Sequence, residues 1–181
     1  LLQWRMSKRR YRLHWSLPLG ISAAWLLWPA MDTVLGYLLV LLSHQAGHHL
    51  LGRRGGLETT GFDLHALGGS ARFEGTSTRM SHVLAGAGGV LGQVALLWLV
   101  ILIHALMGGG SEGDLHRALT TLNLGIMALN LIPAAATDGA SLWALPRALL
   151  ERLEERLTYM QIAEVEAQRT SWQKMIDRDS S

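Results

Sequence analysis

Ser43-His44-Gln45-Ala46-Gly47-His48-His49 lies inside a run, Thr33–Gly52, that contains no Asp, Glu, Lys or Arg. Two histidines four apart on a helix point the same way, because residues i and i+4 stack on one face. Ionisable groups inside so apolar a segment are costly and usually functional. A second such run ends in Asn130-Leu131-Ile132-Pro133-Ala134-Ala135-Ala136-Thr137-Asp138-Gly139. Pro133 interrupts a helix, so the backbone should unwind around Asp138-Gly139. A histidine pair plus one carboxylate brought in from elsewhere is a three-ligand zinc set with an open fourth position. His44, His48 and Asp138 are therefore the candidate ligands, for one Zn2+ per chain. A histidine pair alone could instead be satisfied by hydrogen bonds between helices; Asp138 arriving at matching depth argues for the metal.

The rest of the composition sets the solvent. Of 181 residues, 49% are apolar and only 17% are charged, with a mean hydropathy of +0.21. An ordinary soluble domain carries about 25% charged residues. The deficit falls in four uncharged windows, Leu13–Met31, Thr33–Gly52, Met80–Ser111 and Ala118–Thr137. Each approaches or exceeds the roughly 17–25 residues that a membrane-crossing helix needs. The expected fold class is an all-α polytopic membrane protein with about four transmembrane helices, near 13–31, 33–52, 80–108 and 118–135. The alternative, a soluble bundle with buried central helices, seldom shows four such runs at membrane length.

A net charge of +2 and a pI near 9.4 could suggest a nucleic-acid partner, but the charges follow membrane logic. Arg5, Lys8, Arg9, Arg10 and Arg12 precede the first window, and only Asp32 separates it from the second. Arg53, Arg54, Arg72 and Arg79 fill the next connection, then Glu112, Asp114 and Arg117, and six basic residues follow Asp138. Basic residues collect on the cytoplasmic side, so both termini are expected there, with no nucleic-acid partner. A cleaved signal peptide is the other reading of the first window, but no small-residue cleavage site precedes Asp32. Without cysteine there is no disulfide framework, thiolate site or cysteine nucleophile.

Between the second and third windows, about 57–76 reads as a β-hairpin. Phe62, Leu64 and Ala66 alternate before the Gly68-Gly69 break, and Ala71 and Phe73 follow it. The third window opens on Ala85-Gly86-Ala87-Gly88-Gly89, small residues that let helices approach closely. Residues 1–146 form the expected core. Beyond Pro146, residues 147–181 read as a cytoplasmic amphipathic helix with Leu149, Leu150, Leu153 and Leu157 on one stripe, fraying after about Thr170. There is no internal repeat and no second domain.

His44-Gln45-x-x-His48 together with Asn130-x-x-Pro133-x-x-x-x-Asp138-Gly139 resembles the site-2 proteases, intramembrane zinc metalloproteases. The order of parts matches over roughly 12–146: a basic-flanked first helix, the histidine helix, a Leu67-Gly68-Gly69 hairpin, a Gly-rich third helix, then the Asn-Pro-Asp-Gly helix. The chain departs from the family at Gln45, where Glu is expected. It also lacks the PDZ and CBS domains of many members, and so reads as a minimal core in a bacterial or archaeal cytoplasmic membrane.

The resemblance implies that His44, His48 and Asp138 ligate zinc with water in the fourth place. It implies that Asn130 positions the substrate backbone or the oxyanion, and that Phe62, Leu67, Gly68, Gly69, Ala71 and Phe73 offer an edge to an unwound substrate strand. The implied substrate is a single-pass transmembrane protein, with the bilayer or a regulatory membrane protein gating access; oligomeric state is left open. A Glu at position 45 would take the water's proton, as in H-E-x-x-H metalloproteases. Gln45 can hold the water but cannot accept its proton, so this form should bind zinc and cut poorly. Gln45 reads either as an introduced change, the smallest that removes a base and keeps the shape, or as native to a pseudoprotease that binds client helices without cleavage. A membrane di-iron desaturase or hydroxylase also uses a His-x-x-x-His-His box. The five other histidines of the eight are solitary here, with no second His-x-x-His-His. A transporter would need a repeated architecture.

Overall fold

The computed structural model describes residues 2–6, 9–75, 78–110, 113–134 and 137–179. Lys8 of the basic flank, residue 76 of the hairpin, Ser111 and Glu112, Ala135 and Ala136 of the second motif, and the last two residues of the tail lie outside them. The chain divides into two compact units, Leu1–Leu145 and Pro146–Ser181.

The first unit carries a four-stranded sheet as well as helices. Strands β1 (Leu2–Met6) and β2 (Arg9–Leu13) are antiparallel, β2 runs parallel to β3 (Glu58–His65), and β3 pairs antiparallel with β4 (Gly68–Glu74). The 57–76 hairpin is thus β3–β4. An all-α chain with one hairpin is corrected, because the basic N-terminal segment is itself a hairpin that extends the sheet. Its signal is in the sequence: Leu2, Trp4 and Met6 alternate with Gln3 and Arg5, the period of a strand. Reading those arginines as a membrane flank hid that alternation. In the order β1-β2-β3-β4 the outer edge of β4 has no strand partner among the described residues.

Helix α1 (Ser16–Leu27) is shorter than the expected 13–31. β2 takes Leu13, and Trp28 is extended at φ −143°, ψ 101°, as the residue before a proline tends to be. Helix α2 (Met31–Arg54) carries the histidine pair. Helix α3 (Arg79–Leu106) opens with the Thr78 hydroxyl accepting from the Ser81 N–H, a side-chain cap on an otherwise unpaired donor. Helix α4 (Asp114–Arg117) passes through a wide π turn, Ala118–Leu122, into α5 (Asn123–Asn130). The fourth helical stretch therefore begins and ends earlier than 118–135, and the described residues between Asn130 and Gly139 are non-helical. Helix α6 (Gly139–Asp179) starts before the expected 147 and contains Pro146. In the second unit Leu149, Leu150, Leu153 and Leu157 are exposed.

Among the described residues one helix, α3, is long and apolar enough to cross a membrane, with mean hydropathy 2.2; α1 is apolar but has only 12 residues. The α2–α3 seam is closed by main chain. A Cβ on Gly47 would collide with the Gly88 carbonyl, and one on Gly88 would lie 2.5 Å from the Gly47 carbonyl oxygen. Only residues without a side chain permit that approach. Tyr37, Val40 and Leu41 of α2 pack with Ala24 of α1 and Ile126 of α5 as the apolar core beside the seam.

Candidate metal centre

Helix α2 sets His44 and His48 one turn apart, and the break after α5 delivers Asp138 to the same place. The three are 1%, 3% and 8% exposed. His44 Nε2 lies 3.2 Å from His48 Nε2, His48 Nε2 lies 3.2 Å from Asp138 Oδ1, and His44 Nε2 lies 3.7 Å from Asp138 Oδ2. An ion with tetrahedral bonds of about 2.0–2.1 Å needs its donors about 3.3–3.4 Å apart. The spacing fits.

The outer partners decide which nitrogens face inward. His48 Nδ1–H donates to the Ala85 carbonyl at 2.8 Å, and His44 Nδ1–H donates to Gln93 Oε1 at 3.2 Å. A neutral ring carries one proton, so both Nε2 atoms present lone pairs to each other and to the carboxylate. The Gly69 carbonyl oxygen adds another at 3.2 Å from His44 Nε2. Acceptors with no hydrogen among them repel unless a cation sits between. The Val90 N–H fixes Asp138 Oδ2 at 3.0 Å, the kind of support that orients metal ligands. The packing also leaves the room: a Cβ on Gly89 would meet Asp138 and the His44 ring, and one on Gly68 would lie 2.7 Å from His44 Nε2. His44, His48 and Asp138 are a buried group able to hold a metal ion.

Gln45 points to the hairpin instead of outward. Its Nε2 donates to the Gly68 carbonyl at 3.2 Å, while its buried Oε1 has no hydrogen-bond partner. Asn130 Nδ2 donates to the Leu67 carbonyl at 2.6 Å, so in this structure the amide holds the hairpin turn. A cleft of about 760 Å³ opens beside the ligands, lined in part by His48, Asp138, Leu67, Gly69, Ala71 and Phe73. Phe62 is not among its walls; its ring packs against Tyr11 and His49, with centroids 6.1 and 6.3 Å apart.

No protein-family model matches the sequence, and no curated protein matches it. Among solved structures the chain is similar to a site-2 protease from Methanocaldococcus jannaschii. The TM-score is 0.60 at 18% identity, over 83% of this chain and 72% of that one. The fold is that of a site-2 protease.

Within this site-2 protease fold, sequence reasoning missed the supports. Gln93 had a signal, being the one amide in the uncharged window Met80–Ser111. Ala85 and Val90 act through main-chain atoms and had none. His49 donates to or accepts from Thr59 Oγ1 at 2.9 Å and does not reach the ligands' outer nitrogens. The His104 ring packs tilted against His116 with centroids 4.4 Å apart. His14 and His65 both line the cleft.

Proposed function

We propose that this chain is an intramembrane zinc metalloprotease of the site-2 type, acting on single-pass transmembrane proteins, with its hydrolytic step slowed by Gln45. The observation that carries the proposal is the buried convergence of two imidazole Nε2 atoms and a carboxylate beside an open cleft. Zinc is the fitting ion for two histidines and one carboxylate with a position left open, and when bound it would acidify a water and polarise the scissile carbonyl.

The chain's own residues supply the rest. The free edge of β4 can take an extended substrate segment as a further strand through main-chain hydrogen bonds. That suits a transmembrane helix, which must unwind before a peptide bond is accessible. Asn130 sets the Leu67–Gly69 turn against the ligands, and a direct role on substrate would require it to release Leu67. Gln45 lends a hydrogen-bond acceptor, its unpartnered Oε1, but no base. The exposed apolar face of α3 suits lipid. A multi-pass topology with both termini cytoplasmic, the helices around α3 completing the crossings, follows from the charge pattern. A membrane partner that regulates access belongs to the same proposal.

The test is Gln45→Glu in detergent or liposomes with zinc, against a panel of single-pass substrates. A general base contributes about 10²–10⁴-fold, so cleavage should rise by that factor and vanish with chelator or His44→Ala. Failure to hold zinc would end the metalloprotease reading. A second reading, a binder of client helices that never cuts, is favoured by the amide at position 45. It gains if the Glu variant holds one zinc and leaves every substrate whole.

A further inference from the structure

We infer that His65 is a catalytic residue of this site, a neutral imidazole whose Nε2–H donates to the substrate carbonyl oxygen as that oxygen gains negative charge. The inference rests on the protease reading above and adds to it a group that the His44–Gln45–His48–Asp138 set does not contain.

A backbone N–H can only donate. The Leu67 N–H points at His65 Nδ1 at 3.3 Å, so that nitrogen accepts, and the ring's single proton is on Nε2. The ligand histidines have the reverse arrangement, with Nδ1–H facing the Ala85 carbonyl and Gln93 Oε1. The cleft thus contains imidazoles of two kinds, bare at Nε2 on the ligands and protonated at Nε2 on the wall. His14 repeats the wall pattern, for the Ser16 N–H points at its Nδ1 at 3.3 Å, and the Ser16 hydroxyl lies 2.8 Å from the same atom. Ser16 Oγ also accepts from the Ala66 N–H at 3.3 Å, which ties His14 to the turn carrying His65.

His65 shares the cleft with His48, Asp138 and Gly69. It sits on β3 opposite Gly68 of β4, next to the carbonyls that contact Gln45 and His44. The other amide that could serve an oxyanion, Asn130, is committed to Leu67. Thr137, also on the cleft wall, is committed to the carbonyls of Ile132 and Ala134. Burial, and then the neighbouring His14, hold the His65 imidazolium down, which keeps the ring neutral. A neutral imidazole fixed in one tautomer is a good electrophile for a carbonyl, since it adds a donor without needing to reorganise.

The experiment uses the full chain in detergent, loaded with zinc, and measures binding of a phosphinic apolar peptide and of its amide parent. The phosphinate carries the tetrahedral negative charge that the amide lacks. Removing one oxyanion donor costs about 10²–10³-fold in rate, so His65→Ala should weaken the phosphinate by about 10²-fold and leave the amide and the zinc content unchanged. His65→Gln, which keeps an N–H donor, should recover most of that loss. Unchanged phosphinate affinity with zinc in place would overturn the inference, as would equal loss of both peptides, which means a shaping role only. Loss of zinc in both variants would also overturn it. If the unaltered chain takes up no zinc, the protease reading falls first, and the metal analysis alone shows it.

Discussion

The two halves of α3 are made for different surroundings. Its first half, Arg79 to Gln93, buries Met80, Val83, Ala85, Ala87, Gly88, Gly89, Val90 and Gln93. There the helix presents small side chains and bare main chain to α2, and it gives one carbonyl, one N–H and one amide to the three candidate ligands. In its second half, Trp98, Leu99, Leu102 and Leu106 are each more than half exposed. One continuous helix thus supports a buried polar centre at one end and an apolar outer surface at the other. Hydropathy averaged over the helix identifies only the second of these tasks.

Substitutions in the two halves of α3 should have unequal effects. The largest effect should come from the centre that the inner half supports: His48→Ala should take the chain from one zinc to none under conditions in which the unaltered protein keeps its metal, measured by elemental analysis after dialysis. Next is the support itself. Gln93→Leu should weaken zinc by about 10–100-fold, the usual cost of losing a group behind a ligand, whereas Trp98→Leu in the outer half should leave zinc affinity alone. A competition titration with a chelator reads both, and equal losses would erase the distinction between the halves. Smaller again is Gly88→Val, whose side chain must displace the Gly47 main chain; overpacking of this kind costs about 1–3 kcal/mol, visible in denaturation of the detergent-solubilised protein. Leu102→Ala should move stability by no more than about 0.5 kcal/mol, as expected away from packed contacts. A large loss there would mean that the outer face is covered by protein.

Much of the centre was legible because its chemistry is carried by side chains with rare placements. Two histidines at helical spacing in an uncharged run, and an aspartate just past a helix-breaking proline, gave both ends of a long-range contact. The hairpin showed itself by alternation around Gly68-Gly69. What stayed hidden has physical reasons. The β1–β2 hairpin was obscured because arginines on an alternating strand look the same as arginines beside a membrane. The helix ends were displaced because Trp28 and Asn130 answer to prolines further along. The supports from Ala85 and Val90 are main-chain groups, for which every residue looks alike. His65 could be given no role from the sequence, because a lone histidine acquires meaning only from the proton on its other nitrogen, and that depends on a turn.

The contact between Gly47 and Gly88 bears on how far such a chain can drift. At that crossing the distance between α2 and α3 is gauged by peptide groups, which do not vary from one protein to another. Leucines and valines elsewhere can be exchanged, resized or reordered without altering that gauge, and His44 and His48, on either side of Gly47, keep their separation from the donors on α3. A fold shared with an archaeal protein at 18% identity is what a molecule calibrated in this way would leave behind.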